Sequence, residues 1–288
     1  MKFCLVVLAL ALPLLAQEEG GEDLTAKFDS LKAAVEKKDV AAVKKLSLET
    51  SQAAKKAMAA PASNDDEKKR ADYAKDVERY SEYALSAMAI QATEPNEIVD
   101  LTDELGQVNP KSEYLGPLFG KYANAASRSG HPEKLTALAE KVVKADPSNA
   151  EALLVVAQAD LQRNRSAQAV ASASQALQSL SKRKADAETE ALMSQAHYLQ
   201  GLAEGQQQHW PQANSALQAA MPGIKSDPTR MSGALFTLGL ANYQLGKLTL
   251  NKAQIRQALN YFQQCAAIKG ASQALCDQNV RAIQTELR

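Results

Sequence analysis

Three histidines and one pair of cysteines carry most of the chemistry that this 288-residue chain could perform. His131 stands between Gly130 and Pro132 at a turn, His197 falls in mid-helix, and His209 precedes Trp210 at a helix start. None has a second histidine or cysteine at metal-ligand spacing, so no metal site is expected. No Gly-x-Ser-x-Gly elbow, phosphate-cradling glycine loop or dinucleotide-binding turn occurs, so no cofactor is expected. Carboxylates are plentiful but occupy helix-surface spacings, and none stands in a Gly/Ser-rich, aromatic-lined context. We therefore expect no catalytic residue and no enzyme. The rival reading, a cell-envelope hydrolase cleaving peptidoglycan on a helical superhelix, would need a strongly shifted carboxylic acid in a cleft.

Cys265 and Cys276 are equidistant from Gly270-Ala271, where a turn between the last two helices is expected. Residues equidistant from the turn of an antiparallel hairpin face each other, so a disulfide is expected. Ten intervening residues exclude a Cys-x-x-Cys redox motif. An oxidising compartment is implied by residues 1–16, which read as a secretory signal with Lys2 ahead of an apolar run. That run is shorter than the roughly 20 residues a membrane span needs. Cys4 precedes the run, which argues against a lipoprotein signal. Export is expected, to the periplasm or beyond, with no transmembrane segment after cleavage.

The elements that hold these residues are helices. Alanine, leucine, glutamine, glutamate and lysine fill the stretches between prolines, and each proline beyond the signal falls at or near the edge of an apolar-periodic segment. Period-2 alternation is missing. The pattern predicts helices over 22–37, 40–59, 65–93, 96–106, 112–129, 132–145, 149–163, 166–180, 186–207, 210–221, 230–246, 250–269 and 271–286, with 17–21 a frayed lead-in. Ser148 and Glu151 are placed to form a capping box at the 149–163 helix. Over 65–93, Tyr73, Val77, Tyr80, Ala84 and Met88 form one apolar stripe, and the cluster Tyr73, Tyr80, Tyr83 reads as core. The run Asp65 to Arg70 reads as a solvated first turn with Asp65–Lys69 and Asp66–Arg70 pairs.

Small residues at regular offsets give a further pattern. Ala157, Asn164, Ala169 and Ala176 follow Ala150 at the offsets of a 34-residue helix–turn–helix unit. Gly201, Ala213 and Ala220 follow Ser194 likewise, with Trp210 in the aromatic slot. Leu238-Gly239 and Gly246 follow Ser232, and Ala258, Phe262 and Cys265 match after a seven-residue insertion. A weaker unit begins at Gly116 with Ala123, Gly130 and Pro147. This region resembles the tetratricopeptide repeat family. The resemblance implies an all-α, right-handed α-solenoid of stacked antiparallel helix pairs over 111–288. Residues 22–110 show no such match and are expected to be helical hairpins that cap or extend the stack. The resemblance also implies a concave groove on the first helices, lined here by Leu154, Gln158, Leu161, Tyr198, Leu202, Phe236, Leu240 and Tyr243. The basic and asparagine residues that clamp a terminal carboxylate in chaperone-binding members are absent from these positions.

Residues 17–110 carry 13 basic against 20 acidic residues, and 111–288 carry 19 against 13. Neither half has the basic density of a nucleic-acid binder. Lys182-Arg183-Lys184 reads as a loop or helix end. The expected function is an extracytoplasmic, non-catalytic scaffold that binds a protein or peptide partner. A structural protein that self-associates through its oppositely charged halves is a further alternative.

Overall fold

A computed structural model describes residues 19–130 and 132–288, with side-chain surroundings for 23–130 and 133–288. The expected signal segment, Cys4 and His131 lie outside the described residues. Among those residues every regular element is a helix, thirteen in all. They divide into two compact units, one running to Thr93 and including Asp100–Asn109, the other comprising Glu94–Val99 and Pro110–Arg288.

The first unit holds α1 (Glu19–Glu36), α2 (Val40–Met58), α3 (Asp65–Gln91) and the later part of α4 (Pro95–Val108). α1 already begins inside the expected 17–21 lead-in, where no proline stops a helix. The first three helices pack on one another, with Leu24, Ala54, Ala74 and Val77 at their centre. Asn64 and Glu67 form a reciprocal capping box at the start of α3. Ion pairs in the first turn include Asp65–Lys68 and Asp66–Lys69, each three residues apart. Helical side chains lean towards the N-terminus, which lets a lysine three residues on reach back over the acid. Val77, Ala84 and Met88 are buried as the stripe requires. Tyr73 and Tyr83, expected in the core, are 37% and 45% exposed and form its rim. Phe28 meets Tyr73 and Tyr80 edge-on, with ring centroids 6.2 and 5.2 Å away.

The second unit holds α5 (Leu115–Ser129), α6 (Pro132–Ala145), α7 (Ala150–Gln162), α8 (Ser166–Leu180), α9 (Ala187–Gln206), α10 (Trp210–Ile224), α11 (Pro228–Leu248), α12 (Lys252–Ala266) and α13 (Gln273–Glu286). Every helix packs on its successor, and short turns make successive helices antiparallel. α7 also touches α5 and α9, and α9 touches α11. The first helices of the hairpins therefore lie side by side in one layer. This is a tetratricopeptide-like stack.

Small residues set the spacing. Ala157, Ala169, Ala173 and Ala176 are fully buried between α7, α8 and α9. A Cβ on Gly201 would stand 2.5 Å from Leu217 Cγ, and one on Gly239 would stand 2.7 Å from the Phe262 ring. α10 runs through Pro222 to Ile224, whereas the proline was expected at a helix end. Burial of Ile224 and contact of Gly223 with Ser194 hold that final turn despite the missing N–H. α5 starts at Leu115, not 112, because Ser112 to Tyr114 form a turn.

The hairpins share one closing turn. Lys38, Asn164, Gln208 and Leu250 all have left-handed backbone, with φ between 54° and 61°. In each case the next residue donates its N–H five residues back: Asp39 to Ala34, Arg165 to Asp160, His209 to Glu204 and Asn251 to Gly246. This is the six-to-one bond of a Schellman ending. The α1–α2 hairpin thus closes in the same way as the hairpins of the stack, although its sequence shows no matching repeat.

Candidate functional site

Asparagine, not serine, starts the central hairpin. Asn149 accepts from Ala152 N, and its amide donates to Gly116 O. Ser148 instead donates through N and Oγ to Asp146 Oδ1, so the expected Ser148–Glu151 capping box does not form. Glu151 is drawn away by Arg183, which donates to both carboxylate oxygens at 2.6 and 2.9 Å. Those hydrogen bonds hold Glu151 below the usual carboxylate range. Arg183 is therefore engaged within the fold, which leaves Lys182 and Lys184 as the exposed cations of this turn.

α7, α9 and α11 carry the residues expected to line a groove. Leu154 and Leu161 belong instead to the core, 1% and 9% exposed, because the side chains of α8 and α9 close over them. Gln158, on the same helix, is exposed. Tyr198 and Leu202 are half-buried in the seam between α9 and its neighbours, packed against two adjoining clusters. Tyr198 rests on α11, where a Cβ at Gly233 would lie 2.9 Å from its hydroxyl. Burial raises the Tyr198 pKa, while nearby Arg230 lowers it and Asp227 raises it. Phe236, Leu240 and Tyr243 border the last cluster, with Phe236 edge-on to Phe262 at 6.0 Å.

Tyr243 is already in use. Its hydroxyl donates to Glu286 Oε2 at 2.7 Å, and Lys247 meets Glu286 Oε1 at the same distance. α13 therefore closes the far end of the layer. Its exposed residues are mostly polar, with Ala274, Leu275 and Ala282 the exceptions, as suits a capping helix. Cys265 and Cys276 are joined, with Cα atoms 5.9 Å apart, and tie α12 to α13. Of the expected lining residues, Gln158 is exposed and Tyr198, Leu202, Phe236, Leu240 and Tyr243 are half-buried, which gives amide, phenol and apolar surface.

The repeat pattern alone did not reveal the buried polar pairs that lock the turns. Asp160, 4% exposed, pairs with Arg165, and Glu204 meets His209 Nδ1 at 2.7 Å. In both, an acid on the first helix holds the residue five positions on, across the left-handed turn. An acid followed at five residues by Arg or His was the available signal. Asn242 is buried and donates to Asn214 Oδ1 and Leu238 O, linking α11 to α10. His197 is half-buried, its Nδ1 has no hydrogen-bond partner, and burial lowers its pKa. Among the described residues no group of three or more His, Cys, Asp or Glu could hold a metal ion. No helix among them is long and apolar enough to cross a membrane.

No family model matches the chain, and no curated protein matches it. Among solved structures, the chain is similar to one described as "Crystal structure of MamA protein". The two are 15% identical with a TM-score of 0.42, over 66% of this chain and 90% of that one.

Proposed function

We propose that the protein is an exported, non-catalytic scaffold that holds an extended peptide or protein segment against the first-helix layer of its second unit. The observation that carries this reading is the side-by-side packing of α7, α9 and α11. It leaves Gln158, Tyr198, Leu202, Phe236 and Leu240 along one open face. Half-buried aromatic and aliphatic side chains supply apolar contact area, and Gln158 with the Tyr198 hydroxyl supplies hydrogen bonding to a backbone. None of these five residues is cationic, so the face is suited to the interior of a segment more than to a terminal carboxylate. Export rests on the N-terminal pattern and on the cysteine pair.

Substituting Gln158→Arg, Tyr198→Ala and Leu240→Ala together tests the reading in the full chain. Capture of the partner from envelope extract should be lost while circular dichroism keeps its helical signal. Undiminished capture by the folded triple variant would move the site elsewhere.

A further inference from the structure

Leu248 and Leu250 are the most exposed large apolar residues described, at 76% and 87%, and they flank Thr249 in the turn between α11 and α12. The fold does not demand them. The equivalent left-handed position in the other turns of the stack is held by Gly130, Asn164 or Gln208, residues that suit solvent or positive φ. Leucine at φ 54° is both strained and wet. The electrostatic setting is equally one-sided. From Pro228 to Cys276 the chain contains no Asp or Glu but holds Arg230, Lys247, Lys252, Arg256 and Lys269. Arg230 and Lys247 pair with Asp227 and Glu286, acids that lie outside this stretch. Lys252 and Arg256, one turn apart on the exposed face of α12, form no ion pair among the described residues.

We propose that this turn docks on an anionic lipid bilayer. Leu248 and Leu250 enter the boundary between headgroups and acyl chains, and Lys252 and Arg256 rest among the lipid phosphates. A turn with two exposed leucines, followed by two exposed cations on the next helix, matches a surface that is apolar beneath and negative above. A soluble partner would have to offer a pocket of both characters. The inference is independent of groove binding, which uses the layer of first helices and not its turns.

Amide hydrogen exchange of the full chain, with and without vesicles, tests it at the tip itself. Vesicles containing 30% phosphatidylglycerol in phosphatidylcholine should slow exchange in peptides covering residues 247–256. Pure phosphatidylcholine should do so at least tenfold less. Leu248→Ser with Leu250→Ser, and separately Lys252→Glu with Arg256→Glu, should each reduce that protection at least tenfold. Leu250→Gly should weaken it several-fold without lowering the melting temperature, which separates lost docking from lost folding. Raising salt from 50 to 500 mM should weaken protection as well. Unchanged exchange on anionic vesicles, or protection that survives the double leucine substitution, would overturn the proposal.

Discussion

Leu250 and His197 are single residues whose environments oppose their chemistry, and each yields a measurement. Left-handed backbone costs a leucine about 1–2 kcal/mol, part of which glycine recovers before its own larger unfolded-state entropy is counted. Leu250→Gly should therefore raise stability by roughly 0.5–1 kcal/mol in denaturant unfolding. For His197 the folded pKa lies below the unfolded value of about 6.5, so the unfolded chain binds the extra proton. Stability from this site is fully present above that pH and is lost as pH falls through the folded pKa. His197→Gln should flatten the dependence of melting temperature on pH below about 6.5. The pairing of Cys265 with Cys276 was legible from their symmetry about Gly270-Ala271. The role of Ser148 was misread because three candidate caps, Asp146, Ser148 and Asn149, stand together. Only the φ, ψ of the junction selects Asn149.

At the scale of elements, the sequence located nearly every helix, because proline and helix-forming composition act locally. The repeat offsets also pointed to small residues that take a close contact, because a stacked hairpin repeats that contact at a fixed spacing. Gly201 falls in a repeat slot and Gly120 does not, and a Cβ on Gly201 meets Leu217 at 2.5 Å while one on Gly120 meets nothing within 4 Å. Gly201→Ala should destabilise the protein by about 1–3 kcal/mol, whereas Gly120→Ala should stabilise it by roughly 0.5–1 kcal/mol. Thermal denaturation of the two variants side by side reads the difference. α13 is held by the disulfide, the Tyr243–Glu286 hydrogen bond and the Lys247–Glu286 pair. Closing so short a loop constrains the unfolded chain by about 2–3 kcal/mol. Thiol titration of unfolded, unreduced protein should find no reactive pair at Cys265 and Cys276, and reduction should lower the unfolding midpoint accordingly. The same offsets that revealed the hairpins overcounted the groove. Leu154 and Leu161 occupy binding positions by number, but α8 and α9 cover them.

Across the whole molecule, each unit reads differently from sequence. The second unit announces its hairpins through recurring alanines and glycines, while the first hides a hairpin closed by Lys38-Asp39 with the same backbone turn. A turn of this kind is a property of backbone dihedrals and one hydrogen bond, so lysine, asparagine, glutamine or leucine can each occupy it and no residue pattern survives. The proposed partner surface of the second unit is a layer of first helices that is apolar, aromatic and amide in character, with α13 at one end. Site-specific photo-crosslinking in intact cells tests this most directly, with the reactive residue at Gln158, Leu202 or Leu240 and, as controls, at exposed Gln178 or Asn260 on second helices. The account predicts a common crosslinked partner from the first three positions and none from the controls. Equal crosslinking from both layers, or crosslinking confined to the second helices, would contradict it.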